Sequence, residues 1–223
     1  MTDAEVIRRF HQLCYERWQP IQVNWMGVHA IKSPLDLWTY QELLYTVRPS
    51  LVIETGTFSG GSALYLAHML ELMSAASVTG FDGLVVSIDV DKSPPAHLGK
   101  PWPRHPRLCY MQGDSASPET LAAVRRLVSP QDTVMVILDS DHHQAHVARE
   151  IAAYAPLVTM GSYLVVEDTN INGHPVLPEF GPGPMEAVAE FLASPEGAGF
   201  KVDRSCERFL LTMNPGGFLR RVA

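Results

Sequence analysis

No run of this chain approaches the roughly 20 apolar residues that a helix needs to cross a bilayer. An ordinary helical membrane span is therefore excluded. Positive charge is also scarce. Lys and Arg number 17 against 24 Asp and Glu, a formal net charge of −7 at pH 7. No basic block stands out, so a general nucleic-acid binder, which is usually basic, is not expected. Cysteine is rare. Cys14, Cys109 and Cys206 are scattered and odd in number, which fits neither a zinc spacing nor a disulfide framework. Cys109 lies in the apolar run Leu108-Cys109-Tyr110-Met111 and is expected to be a buried thiol. The start, Met1-Thr2-Asp3-Ala4-Glu5, has no basic segment leading into an apolar one, so no signal peptide is expected. Together these absences point to a reduced, cytoplasmic protein with no membrane or nucleic-acid partner.

What is present has the balance of a globular domain. The chain has 223 residues, 46% hydrophobic and 18% charged, enough to bury one full core. A single domain over 1–223 is expected, with a helical extension over 1–48 and a catalytic core over 49–223. Val6, Phe10, Leu13 and Cys14 recur at helical spacing, so an amphipathic helix over 3–18 is predicted. Ser33-Pro34 reads as an N-cap followed by Pro, opening a second helix to about Val47. Strands are then expected at 51–54, 84–89, 108–112, 133–139 and 162–167. Helices are expected at 60–73, 117–128, 143–155 and 185–193. That alternation implies an α/β fold, a mostly parallel sheet with helices on both faces. Two apolar runs near the end, 200–204 and 208–213, are too close for a helical crossover and are expected to pair as an antiparallel hairpin. A parallel sheet finished by a reversed strand pair is the pattern of the class I methyltransferase fold. Two long Pro/Gly-rich loops, 92–107 and 169–184, interrupt the alternation; such loops are usually functional or mobile.

The segment Leu51-Val52-Ile53-Glu54-Thr55-Gly56-Thr57-Phe58-Ser59-Gly60-Gly61-Ser62 carries the strongest single signal. An apolar strand ends in an acid, turns through glycines, and opens a helix. Glycines let a ligand approach the backbone, and a helix start offers free N–H groups to a carboxylate or phosphate. The spacing is neither G-x-G-x-x-G nor a P-loop with its Lys. Glu54 precedes the first Gly, where it would meet a ligand amine. S-adenosylmethionine, with an ammonium and a carboxylate on its methionine end, suits this loop. Glu54, Gly56, Thr57, Ser59, Gly60 and Ser62 are its candidate contacts. In open α/β sheets the ligand lies beyond the carboxyl ends of the strands. Asp89 closes the second core strand and is assigned to ribose hydroxyls. Asp114 and Ser115 close the third, near adenine, with helix capping as their other role.

The fourth and fifth strands end in Asp139-Ser140-Asp141-His142-His143 and Glu167-Asp168-Thr169. Asp139, Asp141, Glu167 and Asp168 would repel one another if left alone. A divalent cation between them is the economical explanation. Oxygen ligands point to Mg²⁺, with Mn²⁺ or Ca²⁺ as neighbours. His142, His143 and His146 open a second option, a transition metal with mixed ligands, and His142 and His146 stand four apart. A solvated helix start is the plainer role for His146. Trp18, Trp25 and Trp38 either line an acceptor pocket or pack in the core.

With these residues in view the chain resembles the rhamnosyl O-methyltransferase and cephalosporin-hydroxylase family. The shared phrases are Glu54-Thr55-Gly56-Thr57 with Gly60-Gly61-Ser62-Ala63-Leu64, Ser87-Ile88-Asp89, Leu138 to His142, Gly161 to Thr169, Gly181 to Ala187, Glu207 to Thr212, and Asn214-Pro215-Gly216-Gly217. The likeness runs from about Trp25 to Arg221. It implies a class I fold, S-adenosylmethionine, Mg²⁺ or Mn²⁺ near the reacting hydroxyl, homo-oligomers, and a small hydroxylated natural product as substrate. Catechol O-methyltransferases, more distantly similar, hold their metal with an Asp after the fourth strand and an acidic–amide pair after the fifth. That maps to Asp139 or Asp141 with Glu167 and Asp168; Asp141 is favoured, which leaves Asp139 near the cofactor. A basic residue three positions after the strand-four Asp serves those enzymes as general base. Counted from Asp139 it is His142, with His143 the fallback. The reaction implied is metal-assisted O-methylation of a sugar, phenol or other alcohol. A metal-dependent hydroxylase or other oxidoreductase is the alternative, although a facial-triad iron site needs two His and one carboxylate.

Overall fold

The computed structural model describes residues 1–18, 23–76 and 80–223. The chain opens on α1 (Asp3–Trp18), a tiny hairpin of β1 (Asn24–Trp25) and β2 (Val28–His29), and α2 (Pro34–Val47). The alternating part runs β3 (Leu51–Thr55), α3 (Gly61–Ala75), β4 (Leu84–Asp89), β5 (Leu108–Gln112), α4 (Pro118–Leu127), β6 (Val134–Leu138), α5 (Gln144–Tyr154), β7 (Tyr163–Val166) and α6 (Pro184–Ala193). Strands β8 (Phe200–Val202) and β9 (Phe218–Arg221) complete it. The helix starts follow from local chemistry. Ser33 Oγ accepts from Leu35 N at 3.2 Å with Pro34 in the first turn. Ser117 does the same for α4, accepting from Thr120 N at 3.2 Å ahead of Pro118. Each cap satisfies a backbone donor that the helix itself cannot.

The main sheet has the order β5-β4-β3-β6-β7-β9-β8. The first five strands are parallel, and β9 lies antiparallel between β7 and β8. Adjacent residues of one strand serve opposite cores, as the pleat requires. Ile53, Val86, Val136 and Leu164 face Val124, Ile151 and Phe191 of α4, α5 and α6. Val52, Val85, Met135 and Val165 face Tyr40 and Leu44 of α2 and Leu66 and Leu70 of α3. Both sides of the sheet are covered, which is why its strands read as unbroken apolar runs.

Two expectations need correction. The reversed strand pair exists, but β8 pairs with 218–221, not with 208–213. Asp203 accepts from Ser205 N at 3.0 Å and starts a 3-10 turn over Arg204–Glu207, so 208–213 continues as loop. Met213 N there donates to the buried carboxylate of Asp36 at 2.9 Å, and that run supports the site instead of joining the sheet. Cys109 is exposed, and Cys206 is the buried thiol. Strand β5 is the sheet edge, and edge strands are covered less completely. On α1, Val6, Phe10 and Leu13 face outward, while His11 is buried and its Nε2 lies 3.0 Å from Asn170 Nδ2. A polar contact docks this helix, and its apolar stripe is left open. Of the tryptophans, Trp25 packs edge-on against Tyr65 at 4.8 Å and Trp38 is exposed; the side chain of Trp18 lies outside the described residues.

The strand order reverses between β3 and β6, which opens the ligand crevice of such sheets at their carboxyl ends. Gly56 holds the two strand ends together there. Its φ is +85°, and a Cβ on it would lie 1.9 Å from the backbone oxygen of Asp139. Gly56→Ala should therefore lower stability by more than about 3 kcal/mol. Gly27→Ala, at φ +80° but with nothing within 4 Å, should cost only about 1–2 kcal/mol. Equal shifts in the two thermal melts would refute the close approach.

Candidate active site

The glycine loop between β3 and α3 is rigidly seated. Asp89 Oδ2 accepts from the backbone N–H of Thr57 and of Phe58, both at 2.9 Å, and Oδ1 accepts from Asp91 N at 3.0 Å. Asp89 thus fastens the loop to the end of β4. Ser59 Oγ donates to the His29 carbonyl, and Thr57 Oγ1 meets Ser87 Oγ at 2.7 Å. Gly60 starts α3 at φ +80° with no side-chain cap, and an uncapped helix start suits an anionic group.

Glu54, at the end of this strand, is fully buried. Ser87 Oγ donates to its Oε2 at 2.7 Å, while Oε1 has no partner. Glu54 borders a void of about 10 Å³ lined also by Lys32, Ser62, Tyr65 and Glu167, about the least space that admits one water. Burial pushes the Glu54 carboxyl up to about 7, against the opposing pull of Lys32 and the Ser62 and Ser87 hydroxyls.

Across the crevice, Asp139 extends β6 by one residue because its N–H donates to the Thr55 carbonyl at 3.0 Å. Its side chain, the His142 ring and Asp168 place one ligand atom each within 4.8 Å of one another. His142 Nε2 is 3.2 Å from Asp168 Oδ2. Asp168 sits at φ +53°, uncommon for a non-Gly residue. Asn214, fully buried, holds it there by accepting from Asp168 N at 2.9 Å. Burial raises the Asp139, Glu167 and Asp168 carboxyls above the usual carboxylate range.

The described residues put Lys32 at the centre of this ring. It is 4% exposed. Its ammonium pairs with Asp139 and lies 2.7 Å from Glu167 Oε1. Tyr40 Oη donates to the same Glu167 oxygen at 2.7 Å. Burial alone would lower the Lys32 pKa, but Asp139, Glu167 and Glu54 hold it well above its ordinary value. Lys32, Tyr40, Asp36 and Asn214 were not among the residues expected at the site. Asn214 stood inside a family phrase; nothing local marks Lys32.

Asp141 is placed apart from the ring. It is exposed, and its Oδ1 takes both the backbone N and the ring Nδ1 of His143 at 2.7 Å. Burial opposes ionisation there, but the His143 bonds prevail and hold the carboxyl below its usual range. Asp141 lies three residues past Leu138 and three before Gln144, and its bonds to His143 organise the turn from β6 into α5. Helix α5 begins at Gln144, so His142 and His146 share no helix face. His146 is partly buried, its Nε2 3.2 Å from Ser115 Oγ and 3.1 Å from Ser140 Oγ. Ser115 is buried there, while Asp114 is exposed and accepts from Ala116 N at 2.9 Å.

The profile of the family described as rhamnosyl O-methyltransferase/CmcI matches residues 18–222. The chain belongs to that family. Relatives named rhamnosyl O-methyltransferase agree along nearly its whole length. The Mycobacterium leprae protein is 37% identical over 99% of this chain and 92% of its own. The Mycobacterium tuberculosis protein is 38% identical over 99% and 86%. Among solved structures, CmcI with Mg and SAM aligns at 21% identity and a TM-score of 0.64, covering 90% of this chain and 77% of that one. The O-methyltransferase TomG from Streptomyces achromogenes, in complex with SAM, aligns at 19% identity and 0.52, covering 86% and 76%. The fold of this family member is thus that of S-adenosylmethionine-dependent methyltransferases, with no described helix long and apolar enough to cross a membrane.

Glu54 makes stability depend on pH. Between about pH 4.5 and 7 the folded chain keeps a proton on Glu54 that the unfolded chain has released, so stability falls as pH rises through that window. Glu54→Gln cannot ionise and lacks this loss. From pH 4.5 to pH 8 its stability relative to wild type should grow by up to about 3 kcal/mol. Denaturant titrations at both pH values check this; a constant difference would place Glu54 at an ordinary pKa.

Proposed function

We propose that this protein is an O-methyltransferase that uses S-adenosylmethionine and a divalent metal to methylate a sugar hydroxyl, of the rhamnosyl type named for its relatives. The observation that carries this is the contact of Gly56 with the Asp139 backbone. It joins a glycine loop suited to a small cationic cofactor directly to a carboxylate–histidine cluster suited to a metal. Glu54, with its unpartnered Oε1, faces the cofactor ammonium. The open start of α3 at Gly60 and Ser62 takes its carboxylate, and the free lone pair of Asp89 takes a ribose hydroxyl. Ser115, beside His146, sits toward adenine.

Asp139 and Asp168 fit a divalent ion, with Glu167 behind them and His142 at the rim. When bound, the ion supplies Lewis acidity toward a neighbouring hydroxyl, and the cofactor supplies the methyl group. The chain's own residues do the rest. His142, one-third exposed and oriented by Asp168 through Nε2, accepts the hydroxyl proton at Nδ1, the ring nitrogen that keeps its lone pair. With the cofactor bound, transfer of its methyl group to the acceptor oxygen would break the sulfur–carbon bond and release S-adenosylhomocysteine. Holding donor and acceptor in line supplies a large share of the rate. A hydroxylase fits less well, because this cluster has two carboxylates and one His where a facial triad needs the reverse.

Incubation with a rhamnosyl glycoside and labelled cofactor is the direct test. EDTA should abolish transfer and Mg²⁺ restore it; full activity in metal-free protein would refute the metal role. His142→Ala should lower turnover by about 10²–10⁴ with metal affinity within a few-fold of wild type. A parallel loss of metal affinity would make His142 a ligand instead. Asp139→Asn should lose metal binding and Asp141→Asn should keep it; the opposite pattern would return the ligand role to Asp141.

A further inference from the structure

The acidic ring contains more negative charge than one interior can hold alone. Asp36, Glu54 and Glu167 are each less than 5% exposed, and the Asp139 side chain is 19% exposed. Lys32 is the one Lys or Arg among the described residues that is buried. It reaches the ring from the segment just before α2, and its Nζ contacts Asp139 and Glu167, which end two neighbouring strands. Tyr40, one helical face further along α2, donates to the same Glu167 oxygen. The N-terminal extension therefore delivers a fixed positive charge into the place where repelling carboxylates would otherwise require a metal.

We propose that Lys32 is the resident counter-ion of this site, a positioning residue that lets the carboxylates fold together without metal and restrains how tightly a divalent ion then binds. This rests on the metal reading above. With Lys32 present, Asp139 and Glu167 are already partly neutralised, so an incoming dication meets a weaker field and exchanges readily. Without it, the ion and the ammonium's former place are complementary, and the ion becomes a structural requirement.

The test uses full-length Lys32→Met, which keeps the length and apolar stem of the side chain and removes its charge. Mn²⁺ binding at pH 8 is followed by paramagnetic resonance, and melting temperature is recorded with Mg²⁺ and with EDTA at equal ionic strength. Lys32→Met should bind Mn²⁺ at least tenfold more tightly than wild type, and Mg²⁺ should raise its melting temperature more than that of wild type. If the variant folds only when Mg²⁺ is present, and not in matched NaCl, the proposal is supported in its strongest form. Failure to fold even with Mg²⁺ would overturn it, because the lysine then does something that a dication cannot replace. Mn²⁺ binding that is unchanged or weaker in folded Lys32→Met, with wild type binding normally, would overturn it while leaving the metal site intact. Absence of binding in both proteins would instead refute the metal reading, and the proposal with it.

Discussion

A cluster of carboxylates at the ends of neighbouring strands is the constraint to which the rest of this structure answers. Charges removed from water cost several kcal/mol each unless they are paired and hydrogen-bonded. Each carboxylate here has its own answer. Glu54 is pushed up to about 7 and can carry a proton. Asp36, likewise pushed up to about 7 by burial, accepts from the Met213 backbone. Glu167 takes Tyr40 and Lys32. Asp168 stays nearer solvent beside His142. Removing one partner from such a buried network typically costs about 3–5 kcal/mol, so the segment carrying Lys32 and Tyr40 is as necessary to this cluster as the strand ends are.

That dependence explains which parts of the chain were legible. The central strands β3, β6 and β7 show in the sequence because they are buried on both faces and read as apolar runs. The helix starts at Ser33-Pro34 and Ser117-Pro118 show because capping is local. Gly56 shows because only a backbone lacking Cβ fits against Asp139. The acidic strand ends were visible too, and their mutual repulsion suggested a divalent cation between them. What the sequence concealed was that a cation is already present. Lys32 meets Asp139 across 107 residues, and no periodicity or spacing links positions that far apart.

Register near the site was concealed for a related reason. Asp139 and Asp141 are equivalent by pattern, since either can follow an apolar strand. The structure separates their positions: Asp139 continues the strand pairing through its bond to Thr55 and stands beside His142 and Asp168, while Asp141 accepts from His143 N. The run 208–213 looked like a strand because it is apolar. Its neighbours decided otherwise: Asp203 turns the chain early, and Asp36 claims the Met213 N–H. Propensity yields when a buried carboxylate needs a donor.

Asp89 shows how the same economy reaches the cofactor side. Its carboxylate accepts three backbone N–H bonds, from Thr57, Phe58 and Asp91. An ionised carboxylate offers about four lone-pair sites, so a place remains for a ribose hydroxyl without releasing the loop. The proposed ribose contact and the observed loop contacts would support each other. A ligand bonded to Asp89 binds a loop already fixed in its bound shape, and so loses less conformational entropy on binding. It follows that a loss of cofactor affinity in Asp89→Ala would mix a missing contact with a loosened loop. Asp89→Asn retains one oxygen for the Thr57 and Phe58 donors while losing the charge, and the difference between the two variants separates direct recognition from preorganisation.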